Sequence, residues 1–297
     1  MELLQNCPIC NSTQFNTAIS GKDYFLSGET FSIVRCESCG FRFTNPRPDA
    51  EELSQYYQSS DYISHSDARK GIFNNIYQWI RKYTLSKKHN LIATHSTKGK
   101  LLDIGCATGH FLYLMKKKGW ETYGIEPDKK TRDSAIEAYK LNVFTEEELD
   151  TFEKEFFDVI TMWHVLEHVS QLNKRIAQLK RLLKKDGVIF IAVPNCSSYD
   201  AEKYGVFWAG YDLPRHLYHF TAEDMKRVLK NFGLIVEEVM PMKFDSFYVS
   251  LLSEKYKTGK MRWIPGIWTG LLSNLKANEN NGTSSLIFVV KNQKSQN

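Results

Sequence analysis

The chain has 297 residues, 42% of them hydrophobic and 13% aromatic, enough for one α/β domain and a small second module. Its net charge of +5 is too mild to argue for nucleic acid by itself and suits an anionic small substrate equally well. Met1 to Asn6 lack the basic start and apolar core of a secretory signal, and no apolar run reaches the roughly 20 residues that span a bilayer, so a cytoplasmic location is expected.

Cysteines come first in chain order. Cys7-Pro8-Ile9-Cys10 and Cys36-Glu37-Ser38-Cys39-Gly40 form two C-x-x-C knuckles among turn residues. Two such pairs offer four thiolates to one tetrahedral Zn2+, with each small loop on one side of the ion. Disulfides are disfavoured in a reducing compartment, and a redox C-x-x-C needs only one pair. Residues 15–19 and 30–34, between the pairs, read as strands. The zinc ribbon so predicted spans residues 1–47. Its site is closed by protein ligands, hence structural, and metal contributes on the order of 10–16 kcal/mol of folding energy in zinc-finger peptides. Phe41-Arg42-Phe43-Thr44-Asn45-Pro46-Arg47-Pro48 interleaves aromatics with arginines. That pattern is open to RNA, but a strand leaving the ribbon is the preferred reading. Cys106 and Cys196 read as small buried residues, the latter placed after a strand end where it could line a pocket.

Residues 48–98 read as a helical lead-in. Asp49 caps a helix start with Glu51 and Glu52 in its first turn. Residues 59–67 are polar and loop-like. Ile72, Phe73, Ile76, Trp79, Ile80 and Tyr83 recur at helical spacing and predict an amphipathic helix over 68–92, a stripe that core packing explains.

From residue 99, strands and helices alternate. Strands are expected at 100–104, 122–125, 142–144, 157–163, 187–193, 234–240 and 285–291. Helices are expected at 109–118, 128–139, 172–185 and 222–232, with a loop before the last of these. This alternation predicts a doubly wound, mainly parallel sheet. At the first strand, Leu101-Leu102-Asp103-Ile104-Gly105-Cys106-Ala107-Thr108-Gly109-His110 passes from apolar to glycine-bearing. Gly105 and Gly109 remove side chains where a ligand must approach the backbone, at the carboxyl end of a strand where open sheets bind ligands. The second strand ends in Glu126, placed to accept hydrogen bonds from two ribose hydroxyls. The spacing is G-x-x-x-G, not the G-x-G-x-x-G of a dinucleotide site. Asp103 would repel a diphosphate but suits a ligand carrying an ammonium and a sulfonium.

These residues resemble the cofactor site of class I S-adenosylmethionine-dependent methyltransferases. The resemblance implies a seven-stranded Rossmann-like sheet over 99–297, its last strand antiparallel and inserted beside the sixth, with an insertion at about 243–283. It carries Asp103, Gly105, Cys106, Gly109 and Glu126 over as binding residues for S-adenosyl-L-methionine, with Thr145 near the adenine and Trp163 near the methyl group. It continues through 158–169, where the V-L-E-H-V run is similar to small-molecule methyltransferases of the ubiquinone-biosynthesis type and His164 lies beside the methyl group. Residues 164–168 also match the H-x-x-E-H metallopeptidase pattern. Because His164 directly ends an apolar strand, that match is read as accidental, with Glu167 and His168 anchoring the loop through hydrogen bonds.

Tyr211-Asp212-Leu213-Pro214-Arg215-His216-Leu217-Tyr218-His219-Phe220-Thr221 follows the fifth strand, on the side where the methyl group is presented. Histidine is the natural base near neutral pH. The segment is similar to one in zinc-ribbon methyltransferases that C-methylate deoxysugar nucleotides, but their Y-H-E-H order is absent and this chain is shorter. His216 best matches the retained histidine, and for one of His216 and His219 a structural role, hydrogen-bonding the loop, stands level with a catalytic one. Arg215 pairs either with a substrate anion or with Asp212. Thr221, before Glu223 and Asp224, reads as a helix N-cap.

The expected function is methyl transfer to a small molecule, a sugar or nucleotide-sugar, on carbon or oxygen, with His216, His219 and His164 as catalytic residues. The alternative is an rRNA base methyltransferase gripping RNA with its ribbon. Against it, such modules usually mix histidine with cysteine, and no N-P-P-Y/F tetrapeptide follows the fourth strand. The apolar cluster Trp263-Ile264-Pro265-Gly266-Ile267-Trp268 could cover the active site, form a homodimer contact or touch a membrane surface.

Overall fold

The computed structural model describes residues 1–57, 72–277 and 282–293, with backbone alone for 50 and 72–80. The loop expected at 59–67, the start of the helix expected from 68 and the apolar stripe from Ile72 to Ile80 therefore lie outside the described residues or side chains.

Strands β1 (Phe15–Lys22) and β2 (Thr30–Cys36) pair antiparallel, and β3 (Arg42–Thr44) extends the pair. Asp49 then caps α1 (Ala50–Leu53), and Glu52 closes a capping box. Helix α2 (Ile72–His95) leads to β4 (Lys100–Ile104), α3 (His110–Lys117), β5 (Glu121–Ile125), α4 (Lys129–Tyr139), β6 (Asn142–Phe144) and β7 (Phe157–Trp163). Helix α5 (Leu172–Leu182) ends before the expected residue 185 and runs straight into β8 (Leu183–Pro194). Asn292 Nδ2 donates to the carbonyls of Lys184 and Lys185, which a continuing helix would keep for itself.

The expected loop after β8 instead contains α6 (Tyr199–Tyr204) and β9 (Tyr218–His219). Both are too short to show a hydrophobic period. Thr221 caps α7 (Ala222–Lys230) with a capping box to Asp224, and β10 (Leu234–Pro241) follows. The insertion is a helical hairpin, α8 (Lys243–Thr258) and α9 (Trp263–Lys276), before β11 (Ser285–Asn292).

Seven strands form one sheet in the order β10-β11-β8-β7-β4-β5-β6, which puts the last strand beside the sixth. Its β6, β5, β4 and β7 pair in parallel, as βαβ crossovers require. A second sheet of four strands runs β1-β2-β3-β9. The chain divides into two compact units. One comprises Met1–Ser59, His164–Arg175 and Ile191–Val289, the other Ser60–Trp163, Ile176–Phe190 and Val290–Asn297. The first is packed around Phe31, Ile33, Tyr204, Trp208 and Tyr211. The second buries Leu101, Leu102, Leu112, Met115, Val159 and Ile160 completely. Among the described residues no helix is long and apolar enough to cross a membrane.

Candidate functional site

In the second unit, β4 ends in a turn whose backbone is left-handed at Gly105 (φ 74°), Ala107 (φ 47°) and Gly109 (φ 77°). Gly109 could hardly be anything else. A Cβ there would sit 2.6 Å from Leu141 Cδ1 and 3.1 Å from Ala135 Cβ, so glycine lets α3 start against α4. The amides of Gly105 and Cys106 both donate to the Ile125 carbonyl, tying the turn to β5. Cys106 is buried, its sulfur packed 2.7 Å from where a Gly124 Cβ would stand.

Glu126 follows β5 and is almost fully buried. Its Oε2 accepts from the Ala107 amide at 3.0 Å and its Oε1 from the Asp128 amide at 2.9 Å. Each oxygen keeps a second lone pair for a ligand hydroxyl. Asp103 is 3% exposed and accepts a 2.6 Å hydrogen bond from Thr161 Oγ1, its register partner on β7. Burial pushes the Asp103 carboxyl up to about 7; the Thr161 bond and the Lys88 charge pull it back, while Glu126 adds to the rise. The ammonium of Lys88 stands 4.4 Å from the centre of the Trp163 ring. Trp163 Nε1 is buried with no hydrogen-bond partner. Thr145 lies beyond β6, its amide donating to Glu148 Oε2.

In the first unit, the histidines separate into different roles. His164 has a left-handed backbone (φ 58°) and its amide donates to the Ala192 carbonyl. Its Nε2 is 3.0 Å from Asp245 Oδ2 and its Nδ1 is 3.4 Å from Glu167 Oε1. Burial works against the charged ring, but the two carboxylates overcome it and push the pKa up to about 10. An imidazolium has no lone pair, so the expected role of His164 as a proton acceptor is corrected: it is a cation at neutral pH.

His219 lies in β9, 3% exposed, with Nε2 at 3.1 Å from Thr44 Oγ1. The Thr44 hydroxyl spends its one proton on the His216 carbonyl, so His219 Nε2 carries a hydrogen and donates to it. Burial, with the charges of His216 and Arg42, holds this ring well below the usual histidine range, hence neutral. The bond to Thr44 ties β9 to β3, and the expectation of His219 as a catalytic base is corrected to an anchor of the sheet.

His216 is different. Its Nδ1 donates to the Gly210 carbonyl at 2.9 Å, so the lone pair of the neutral ring lies on Nε2, which is 3.9 Å from Asp212 Oδ2. The His168 ring crosses it edge-on at 4.6 Å between centroids. His168 Nδ1 donates to the Arg215 carbonyl at 3.0 Å and sits 2.8 Å from the Tyr57 hydroxyl. Burial and the nearby His216 lower its pKa to about 4, so it too is neutral.

Glu167 is wholly buried, and neither carboxylate oxygen has a hydrogen-bond partner. The loop-anchoring bond expected of it is made by its backbone instead: the Leu217 amide donates to the Glu167 carbonyl at 2.8 Å. Its approach to His164 is an ion pair without hydrogen-bond geometry. Burial opposes its charge, but the neighbouring His164 cation holds it below the usual carboxylate range. Glu167, His168 and His216 present ligand-capable atoms all within 4.8 Å of one another, so among the described residues the set in this region close enough to share an ion leaves out His164 and is not H-x-x-E-H.

Arg215 is 1% exposed and its guanidinium is spent inside the unit. It makes two bonds to Asp212 at 2.7 and 3.0 Å, one to Asp23 at 3.0 Å and one to the Tyr56 carbonyl at 3.1 Å. Of the two partners expected for it, the internal one holds. Asp23, Thr44 and β3 come from the N-terminal segment, and together they fix the histidine loop: the Thr44 amide donates to the Leu217 carbonyl, and Arg42 and Phe43 pair with His219 and Tyr218. Cys7, Cys10, Cys36 and Cys39 bring four sulfurs within 4.8 Å of one another, with Cys7–Cys39 at 3.6 Å and Cys10–Cys36 at 3.5 Å. A tetrahedral ion with bonds of about 2.3 Å to sulfur spaces its ligands about 3.8 Å apart, so the group suits zinc in size and chemistry.

A model described as a methyltransferase domain matches residues 77–239, more than half of the chain. The chain belongs to that family. It is of the class I, S-adenosylmethionine-dependent kind, as its strand order also shows. A ubiquinone biosynthesis O-methyltransferase of Rhodopseudomonas palustris is 26% identical over 159 residues, covering 49% of this chain and 62% of that protein. One from Pelagibacter ubique is 37% identical over 103 residues, covering 32% of this chain and 42% of its own length. The match thus spans less than two thirds of these curated relatives. Among solved structures, phosphoethanolamine N-methyltransferase 2 of Haemonchus contortus, in complex with S-adenosyl-L-methionine, shares the fold at a TM-score of 0.52 and 15% identity, over 94% of this chain and 69% of that one.

The turn of this methyltransferase fits such a ligand. The buried Asp103 carboxyl matches its positive charge, Glu126 retains free lone pairs, and the unpartnered Trp163 Nε1 awaits an acceptor. Thr161 and Lys88 escaped sequence reasoning. Thr161 faces Asp103 only once strand register is known, and Lys88 lies in a helix that reads as a simple amphipath.

Proposed function

We propose that this methyltransferase methylates a small molecule, a sugar or nucleotide-sugar, with His216 Nε2 accepting the proton that the acceptor atom loses. S-adenosylmethionine, when bound, supplies an electrophilic methyl group. Asp103 and Glu126 hold its cationic and ribose ends, with Gly105, Cys106 and Gly109 shaping the turn and Trp163 and Thr145 flanking it. The observation that carries the reading is the fixed tautomer of His216: a buried backbone carbonyl holds the proton on Nδ1, so Nε2 is a base in place. Glu167, charged and ion-paired with His164 but with no hydrogen bond to its carboxylate among the described residues, stabilises the imidazolium formed when the proton arrives.

In this reading the four cysteines hold one structural Zn2+, and residues 1–47 exist to brace the histidine loop through Asp23, Thr44 and β3. The RNA reading loses its support. Phe41 and Phe43 are fully buried, Arg42 reaches the Cys196 carbonyl, and Arg47 is engaged by Glu2, Tyr218 and the Ser170 carbonyl. No stacking surface is left at that stretch.

The test is a methyl-transfer screen with labelled cofactor against nucleotide-sugars, quinone precursors and ribosomal RNA, run beside His216→Gln. Transfer to a nucleotide-sugar, lost about 10²–10⁴-fold in the variant while cofactor affinity stays within about twofold, is the expected result. Full activity of His216→Gln removes the base. Transfer to RNA alone removes the acceptor class.

A further inference from the structure

Helix α9 is built inside out. Its inward face carries Gly266, Thr269, Gly270 and Ser273, all buried, and its outward face carries Trp263, Ile264, Ile267, Trp268 and Leu275, between 47% and 84% exposed. A helix on the surface of a globular protein shows the opposite pattern. The inversion is structural: a Cβ on Gly270 would come within 2.8 Å of Phe247 Cα, and one on Gly266 within 2.8 Å of Leu251 Cδ2, so α9 approaches α8 closely because it has no side chains there. The buried hydroxyls are satisfied, Ser273 donating to Asp200 and Thr269 accepting from Lys203. α9 therefore packs on α8 without burying its own apolar side, and Phe244 and Tyr248 of α8 are exposed as well.

Charge says what covers it. The segment entering α9 carries Lys255, Lys257, Lys260 and Arg262, all exposed. The two acids of the hairpin are engaged already, Asp245 with His164 and the buried Glu254 with the Tyr204 hydroxyl and, at 3.9 Å, with Arg262, which leaves the three lysines. A second copy docked on this face would bring its own basic segment and no exposed acid from the hairpin. A layer of anionic headgroups neutralises the lysines, while the boundary beneath takes indole and aliphatic side chains.

We propose that the α8–α9 hairpin rests α9 in the plane of an anionic lipid surface, with Trp263, Ile264 and Trp268 inserted and the 255–262 segment on the headgroups. The full chain is to be cosedimented with vesicles of phosphatidylglycerol and phosphatidylcholine in equal parts, and with phosphatidylcholine alone. Binding at least about tenfold stronger to the anionic vesicles, weakened by salt and accompanied by a blue shift of tryptophan emission, is expected. Trp263→Ser with Ile264→Ser and Trp268→Ser should abolish it. Lys257→Glu with Lys260→Glu, which leaves the apolar face intact, should weaken it about tenfold or more. Absence of vesicle binding, or binding unchanged in either variant, overturns the proposal. So does a dimer in lipid-free buffer that the triple variant dissolves, because the face then belongs to a second copy.

Discussion

Replacing Asp103 by Asn should separate stability from ligand affinity in opposite directions. In the unliganded chain burial lifts the Asp103 carboxyl to about 7. A cationic ligand needs the carboxylate, so apparent affinity carries the factor 1 + 10^(pKa − pH). That factor is about 1.1 at pH 8, about 2 at pH 7 and about 30 at pH 5.5, a loss of about 2 kcal/mol across the range. Asp103→Asn should bind S-adenosylmethionine more weakly throughout, with a flat pH profile. For stability the sign reverses. The folded chain holds this proton up to about 7, whereas the unfolded chain releases it near the ordinary 3.8. The group's cost therefore grows as pH rises from about 4 to 7 and reaches at most about 4 kcal/mol. The neutral amide still accepts from Thr161, so unliganded Asp103→Asn should melt higher than the parent at pH 8 and about equally at pH 4. Titration calorimetry and thermal melts across this range decide the matter. Affinity independent of pH in the parent, or an Asn variant less stable at pH 8, would refute the reasoning.

From the proposed zinc site it follows that a strong chelator, or Cys36→Ser, should lower the melting temperature of the first unit and abolish methyl transfer; atomic absorption that finds no zinc in the parent protein removes the metal. Gly109→Ala should cost about 1–3 kcal/mol in urea unfolding, because the left-handed backbone and the Leu141 contact both resist a Cβ. Arg215→Ala leaves buried Asp23 and partly exposed Asp212 without their guanidinium and should cost about 3–5 kcal/mol, visible as a shifted denaturation midpoint with an unchanged slope.

The sequence alone determined what is encoded locally. The glycine turn after Ile104, the caps at Asp49 and Thr221, the two cysteine knuckles and the strand–helix alternation all depend on residues a few positions apart, where backbone sterics and hydrophobic period are decisive. Tertiary structure decided the chemistry of the histidines, because a titration depends on partners far along the chain. His164 looked like a base until Asp245 came beside it, and His219 looked like one until Thr44 took its Nε2. His216 gains its fixed tautomer from Gly210 and its charged neighbour from Glu167. Two residues of β9 have no period to read, yet they bind the histidine loop to the N-terminal strands. Residues 263–268 show their apolar content in the sequence, but which side faces out followed from Gly266 and Gly270 packing on α8. Composition reports what a segment contains; only packing against a neighbour decides which face is left to solvent.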